Sequence, residues 1–366
     1  MISIIISFYG NRPMLELCLN RLRPTLSGHE VEVIVVDDNP DHPISRSILA
    51  PRWARVVRSR ANLGYSGACN LGVEAARGDR IVFVDSDIVA TKGWLDALLL
   101  AAAENPKAGA IGSKILDLSS GRIVAYGAAM HVVDTIHPYR GARADYRLTM
   151  TNRHFQLVPS GTMLIKRDIF RSIGGFDLVF RNAFCDFDLS MKLQQMGRGG
   201  IVSAGSLVYH RGAVSGAIRH AYYADTKSLF FHRWSSQLNA QGLNFLEDAC
   251  RLLRAERSMA TKPFLAINLS SSLSWSDYID TAESALGIDV VQSYSFPAIE
   301  RNASHIRLED RLDWQTCRLK LPIIYFVDRF GALASNFYWF LHRPTSEDIV
   351  IDRNGNACRL QEMVTT

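Results

Sequence analysis

Short β-branched runs alternate with helical-length segments over the first third of the chain. Residues 2–7, 32–37, 54–58, 80–85 and 108–115 are such runs, the first, second and fourth nearly continuous in apolar side chains. Strand-length runs spaced by helical lengths predict repeated β–α–β units. Between the runs, Pro13 stands where a first helical position falls, and residues 94–103 form an apolar helix that stops before Asn105 and Pro106. Strands this continuously apolar are covered on both faces. The pattern therefore predicts an α/β fold, a doubly wound and mostly parallel sheet whose ligands meet the carboxyl ends of its strands.

The pattern changes after residue 116. Residues 117–155 carry Gly121, Gly127, Pro138, Gly141 and several arginines, and predict a hairpin followed by a long loop. A second structured block spans 155–210, and 217–257 is helix-rich. The rest opens with a strand-like run at 264–269 and ends in an aromatic segment at 323–342. The expected organisation is an α/β domain over 1–215, with halves at 1–116 and 117–215, then a helix-rich extension over 216–260 and a C-terminal module over 261–366.

Composition narrows the class. A chain of 366 residues, 48% hydrophobic, can build a sizeable core plus a further module. A net charge of +5 suits anionic small molecules or a lipid surface and falls short of a nucleic-acid binder. Cysteines at 18, 69, 185, 250, 317 and 358 form no CxxC pair and no zinc-spaced cluster with histidine, which fits free thiols in a reducing compartment. Residues 2–7 read as a first strand, with no basic stretch before and no cleavage site after, so secretion is not expected. No stretch nears the roughly 20 uninterrupted apolar residues of a spanning helix, since the best, 321–341, carries Asp328 and Arg329. The expectation is a cytoplasmic protein, with a peripheral position at the inner membrane face as the alternative.

The strongest local chemical signal is Asp85, Ser86 and Asp87, directly after the apolar run 81–84. Carboxylates at i and i+2 on an extended backbone point to one side, where a hard divalent cation carrying diphosphate oxygens is their natural object. The plain alternative is a solvated turn in which Asp87 caps a helix. Asp37, Asp38 and Asn39 end another apolar run, where a carboxylate can bind a base or ribose, although the following Pro40 and Asp41 also make a good turn. Residues 60–70 include Gly64 and Gly67, which let backbone amides at a helix start approach a ligand, as would any simple helix start. Asp186 and Asp188 fall in the first turn of a predicted helix, either as favourable charges at its positive end or as a general base for an acceptor hydroxyl. His210 is a candidate metal ligand or an ordinary histidine.

Taken in order, these segments resemble the family 2 glycosyltransferases of GT-A fold. The similar pieces are 4–11, 35–39, 62–68, 78–87, 161–167, 173–177 and 186–190, and the match covers residues 1–215. The resemblance implies that Ser7, Phe8, Tyr9, Asp37, Asn62 and Asp85 line a nucleoside site, to which Gly67 and Ser86 are added as expected nucleotide contacts. It implies that Asp87 and His210, beside Asp85, hold Mn²⁺ or Mg²⁺ against the donor diphosphate. It also implies an inverting reaction with Asp186 as the base and Asp188 as second choice. Two positions depart from the family: Cys185 stands where a Glu is common, and Asp37, Asp38, Asn39 and Pro40 replace the usual Asp-Asn-Gly-Ser.

The expected activity is transfer from a nucleotide-diphosphate sugar, UDP-sugars first and dTDP-rhamnose second, to a hydroxyl of a polysaccharide or lipid-linked saccharide. Natural-product or peptide acceptors are the alternative, as is a non-catalytic sugar-nucleotide-binding protein. A nucleotidyltransferase is disfavoured, because residues 7–12 are a poor triphosphate loop. No nucleic-acid partner is expected. Residues 325–339 suit a peripheral membrane contact, a buried helix or a homo-oligomer interface.

Overall fold

The computed structural model describes residues 1–44, 53–131, 134–211, 223–239, 241–256, 263–270, 275–295, 316–317, 319–328, 336–343 and 346–364, with Leu308, Leu312, Phe330 and Leu333 besides. Residues 217–222 and 257 of the expected helix-rich region, and Arg329 in the aromatic segment, lie outside them. The chain divides into two compact units, one of Met1–Ala129 and Arg140–Asn239, the other of Met130–Tyr139 and Ala240–Thr366. The stretch 216–260 is thus shared between the two.

The first unit contains β1 (Ile2–Phe8), α1 (Arg12–Leu22), β2 (Val31–Asp37), β3 (Ala54–Arg58), α2 (Gly64–Ala75), β4 (Arg80–Asp85), β5 (Ile88–Ala90), α3 (Trp94–Glu104), β6 (Ala110–Asp117) and β7 (Ile123–Ala125). After β8 (Ala129–His131) and β9 (Asp134–Ile136), which from Met130 onward belong to the second unit, the first unit continues with β10 (Arg153–Phe155), β11 (Thr162–Lys166), α4 (Arg167–Ser172), α5 (Cys185–Gln195), β12 (Gly200–His210) and α6 (Tyr223–Trp234). Eight strands follow the order β10, β12, β6, β11, β4, β1, β2, β3, while β5 pairs with β12 and β7 with β6. β3, β2, β1 and β4 are parallel neighbours and β6 is parallel to β12. β11 runs antiparallel between β4 and β6.

Strand alternation assigns the two faces. Ile4, Ile6, Val33, Val35, Val82 and Val84 pack on one side with Leu15 and Leu19 of α1 and Trp94, Leu95 and Leu98 of α3. Ile5, Ile34, Val36, Ile81 and Phe83 pack on the other with α2, α4, α5 and α6. Each fully buried aliphatic side chain of this kind contributes about 1.5–3 kcal/mol. The sheet is thus covered on both faces, as the continuous apolar runs require. The segment 117–155 is more ordered than a hairpin plus loop, because β6 pairs with β7, β8 with β9 and β10 with β12.

α2 lies close on the sheet because Gly72 faces it. A Cβ there would come 2.4 Å from Ile5 Cγ2 and 3.1 Å from Val36 Cγ2. Gly72→Val is expected to destabilise the unit by about 1–3 kcal/mol through overpacking. Thermal unfolding followed by circular dichroism checks this, and an unchanged Tm would mean that α2 stands off the strands.

The second unit has its own sheet. α7 (Gly242–Glu256), β13 (Pro263–Asn268), α8 (Trp275–Leu286), β14 (Asp289–Ser295), β15 (Ile323–Val327), α9 (Phe337–Leu341), β16 (Ile349–Asp352) and β17 (Ala357–Arg359) build it, with strands ordered β14, β13, β15, β16, β17. The first four are mutually parallel. Tyr325, Phe326 and Trp339 are fully buried in it, so these aromatic side chains are spent on an internal core. Trp339 Nε1 donates to the Tyr325 hydroxyl at 3.0 Å. Among the described residues no helix is long and apolar enough to cross a membrane.

Candidate functional site

Strand register brings the chemistry together. In the parallel pairs Ser7 lies beside Val36 and Asp85, and Phe8 beside Asp37, so the carboxyl ends of β1, β2 and β4 are level. Buried Phe8 belongs to the core, whereas Tyr9 just beyond is 52% exposed. β12 is long enough to carry His210 to the same end, where it pairs with Ile88 of β5. The chain bends back after β4, and Ser86 and Asp87 occupy that bend.

Three ligand groups converge here: one ligand atom from each of Asp85, Asp87 and His210 lies within 4.8 Å of the others. His210 Nε2 sits 3.1 Å from Asp87 Oδ2. Two carboxylates and an imidazole at this separation form a suitable set for a hard or borderline divalent ion, provided that the imidazole is neutral. The negative field of the acid pair is felt by Cys18, whose thiol lies 3.8 Å from the Asp85 carbonyl and is pushed up to about 12 by burial and by the charges of Asp87 and Asp85. Arg211 follows His210, and its amide donates to the Asp87 carbonyl at 3.4 Å. Its guanidinium Nη1 donates to Met14 Sδ of α1 at 3.1 Å, a residue that motif spacing did not reveal.

The two acids ending β2 have different work. Asp38 is consumed by the fold, its carboxylate accepting from the Leu63 and Gly64 amides at 2.8 Å each and anchoring the start of α2. Burial raises its pKa against those hydrogen bonds. Asp37 is 1% exposed, with Oδ2 accepting from the Ile44 amide at 2.8 Å and Arg58 Nε 3.8 Å away. Its Oδ1 is buried without a hydrogen-bond partner. Leaving such an oxygen unpaired costs about 1–3 kcal/mol or more, and a nucleobase N–H is the kind of donor it would accept. Asn39 shapes the turn, Oδ1 accepting from the His42 amide at 3.1 Å, so turn chemistry and a waiting acceptor coexist in the altered motif.

Asn62 is engaged locally, its Oδ1 accepting from the Gly64 amide at 3.1 Å and from Arg181 Nη2 at 2.7 Å. Gly67 lies inside α2, where a Cβ would come 2.7 Å from Leu63 Cβ and 3.6 Å from Leu178 Cδ2. Its smallness is therefore used in packing.

α5 starts beyond Phe184, a non-glycine residue with φ of 61°. Such a conformation costs about 1–3 kcal/mol and is held here by Phe187, Tyr223, Phe230 and Phe231 packed around the Phe184 ring. The strained turn sets Asp186 at the helix start. Asp186 Oδ2 accepts from the Ser160 amide at 3.0 Å and Oδ1 from its neighbour Phe187 at 3.0 Å. Ser160 precedes Gly161, whose carbonyl accepts from the Asp85 amide at 3.0 Å and whose bare Cα leaves room beside Asp85 Oδ2. Two hydrogen bonds and the Ser160–Gly161 peptide bond thus link Asp186 to Asp85, through two small residues not singled out from sequence as site members.

Asp188 is placed differently. It is fully buried, with Oδ1 accepting from Arg233 Nη1 at 2.8 Å and Trp234 Nε1 at 2.9 Å, and Lys192 Nζ 3.0 Å from Oδ2. Cys185, at the departure from the family motif, is also buried, and burial beside Asp186 raises its thiol pKa. All six cysteines are free.

Residues 3–174 match the model of glycosyl transferase family 2. An O-antigen biosynthesis protein of Myxococcus xanthus is 25% identical over 224 residues, 58% of this chain and 17% of that protein. The N-acetylglucosaminyl-diphospho-decaprenol L-rhamnosyltransferase of Mycobacterium tuberculosis is 26% identical over 223 residues, 54% of this chain and 71% of that protein. Among solved structures, GalNAc-T7 with UDP, GalNAc and Mn²⁺ aligns with a TM-score of 0.48 at 14% identity, over 68% of this chain and 50% of that one. The chain thus spans a small part of the Myxococcus protein and most of the mycobacterial one.

Proposed function

We propose that this chain, by its N-terminal domain a member of glycosyl transferase family 2, is a metal-dependent inverting enzyme acting on a saccharide hydroxyl. The observation that carries the reading is the convergence of Asp85, Asp87 and His210 at the strand ends that also present Asp37. Asp37 Oδ1 takes a base N–H, with Ser7, Tyr9, Asn62 and Ser86 bordering the nucleoside. Asp85, Asp87 and His210 would hold Mn²⁺ or Mg²⁺, which when bound supplies stabilisation of the charge developing on the leaving diphosphate. Arg211 adds positive charge near that diphosphate. Asp186, at the positive end of α5, takes the acceptor proton as its oxygen attacks the anomeric carbon from the face opposite the leaving group.

For the donor, UDP-sugars come first and dTDP-rhamnose second. The mycobacterial relative is named for L-rhamnosyl transfer to a diphospho-decaprenol saccharide, which supports the second donor and a lipid-linked acceptor. The Myxococcus relative's name supports a surface polysaccharide.

Calorimetric titration of UDP, dTDP and GDP, with and without Mn²⁺, tests the reading. One diphosphate is expected to bind preferentially and only with metal. Asp87→Ala is expected to weaken it by about 100-fold or more, since losing even an outer-shell partner of a metal ligand costs roughly 10- to 100-fold. Equal binding of a diphosphate with the metal chelated, or by Asp87→Ala, would remove the metal from the proposal.

A further inference from the structure

We propose that the first unit carries a basic shelf beside its metal ligands, built on Arg122 and Arg143, and that this shelf takes a phosphate or diphosphate group borne by the acceptor saccharide. The proposal rests on the transfer reading above and names the acceptor's chemistry within it.

Strand register places the shelf. His210 of β12 lies opposite Ile88 of β5 on one side and Asp117 of β6 on the other, where the Leu118 amide donates to the His210 carbonyl at 2.9 Å. The Asp117 amide donates to the Arg122 carbonyl at 2.8 Å, just before β7. Arg122 in turn pairs antiparallel with Arg143, between bonds from the Ile123 amide to Ala142 and from the Gly141 amide to Ile123. Ile88, His210, Asp117, Arg122 and Arg143 thus form one row across neighbouring backbones. Steps of about 4.8 Å put the Arg122 backbone about 10 Å and the Arg143 backbone about 14 Å from that of His210. Directly opposed residues share a face, so both guanidinium groups start from the face that carries His210. β4, at whose end the nucleoside is assigned, runs through Asp87 into β5, so the arginines stand at the far end of the row, on the side left to the acceptor.

Charge selects an anion. In 114–129 and 140–153 the sequence sets six cations against two acids, Asp117 and Asp145. Asp117 Oδ1 accepts from the Ser119 and Ser120 amides and closes a turn, and Asp145 accepts from Arg143 Nε and Nη2 at 3.0 Å each. Arg143 is still 74% exposed, with Nη1 outside that pair. Arg122 is exposed and spends Nη1 on the neutral Gly141 carbonyl at 3.0 Å, and among the described residues no acid pairs with it. Beneath the segment after Arg143 lies Lys114, 1% exposed, with Nζ donating to the Ala144 carbonyl at 3.0 Å and to Thr149 Oγ1 at 3.4 Å. Burial lowers its pKa against the charge of Asp145, yet among the described residues no acid reaches ion-pair contact with it. A desolvated cation is costly to keep. Here it both fixes the loop and adds to the positive field at the shelf.

A neutral sugar would use such a surface poorly, because its hydroxyls seek acceptors as well as donors and guanidinium has donors only. The planar fork of arginine matches phosphate and carboxylate alike. Two exposed arginines over a third cation suit a group with more than one negative charge, which assigns phosphate or diphosphate and not a uronate.

Hydrogen–deuterium exchange of the full chain, loaded first with Mn²⁺ and its preferred nucleoside diphosphate so that the metal site is filled, tests the shelf. The probes are N-acetylglucosamine 1-phosphate, its farnesyl diphosphate counterpart, the neutral methyl glycoside and methyl glucuronide. Both phosphate probes are expected to slow exchange several-fold in peptides covering 117–123 and 141–149, at concentrations where the neutral glycoside does nothing. Tighter binding of the farnesyl probe assigns the phosphate to a lipid-linked acceptor, and equal binding to a free sugar phosphate. Arg122→Gln, which can still donate to Gly141, and Arg143→Gln are each expected to raise the half-saturating phosphate concentration about tenfold, the lower end for hydrogen bonds to charged groups. The nucleoside diphosphate Kd is expected to stay within a few-fold. If Arg122→Gln loosens the hairpin without ligand, Arg143→Gln decides alone. Equal protection by the neutral glycoside or the glucuronide, or protection that survives both substitutions, overturns the shelf. Failure of the nucleoside diphosphate to load with metal counts against the transfer reading, whereas normal loading followed by no phosphate protection counts against the shelf alone.

Discussion

Asp186→Asn is expected to lower kcat by about 10²- to 10⁴-fold, the usual worth of a positioned general base, while the diphosphate Kd stays within a few-fold of the parent. The asparagine oxygen can still accept one of the two amides, from Ser160 or Phe187, that fix the aspartate. The helix start and Ser160 therefore keep their places, and Gly161 continues to accept from the Asp85 amide. Proton acceptance is what the substitution removes. Donor binding rests on Asp37, Asp85, Asp87 and His210, none of which is altered, so calorimetry with the preferred diphosphate and metal separates binding from turnover. A variant retaining more than about a third of parental kcat would acquit Asp186. A variant that lost diphosphate binding in step with kcat would make it a positioning residue for the donor site.

Much of this arrangement was legible before any coordinates. Nearly continuous apolar runs mark β1, β2 and β4 because a strand covered on both faces has no polar alternation to blur it, while the half-exposed edge strand β3 and β6, with Ser113 and Lys114, are marked by their spacing between helical lengths. The same runs carried Asp37, Asp85 and Asp87 at their ends, and in a parallel sheet all such ends face one way. What stayed hidden was long-range. The antiparallel insertion of β11 is invisible in residues 162–166, since an apolar pentapeptide carries no direction. Asp37 and Asp38 look equivalent as neighbours, yet only one spends both oxygens on the start of α2, an element 25 residues on. The second unit recruits residues 130–139 from within the range of the first, which no linker composition marks. Asp186 and Asp188 shared a helix turn and a candidate role. Their environments diverge because two residues along a helix is about half a turn, which puts one at the loop beside Ser160 and the other against α6.

That divergence makes Asp188→Ala the most damaging single change to the fold among the acids discussed. The carboxylate holds Arg233, Trp234 and Lys192, and Arg233 in turn reaches Asp177 at 2.8 Å and lies 4.9 Å over the Phe180 ring. Removing one partner of a buried ion pair costs about 3–5 kcal/mol, because the remaining charge stays desolvated. Here Arg233 is 33% exposed and Lys192 21%, so water screens part of the loss and the lower end, about 3 kcal/mol, is expected. In Tm this is roughly 6–12 °C for a unit of this size. Asp188→Asn is expected to cost less, since its oxygen still accepts from Arg233 and Trp234, and it should retain most turnover once folded. Differential scanning calorimetry and kcat on the same samples decide between a structural carboxylate and a second base. If Asp188→Ala melted with the parent but lost turnover, the proton acceptor would be Asp188, and Asp186 would revert to capping α5.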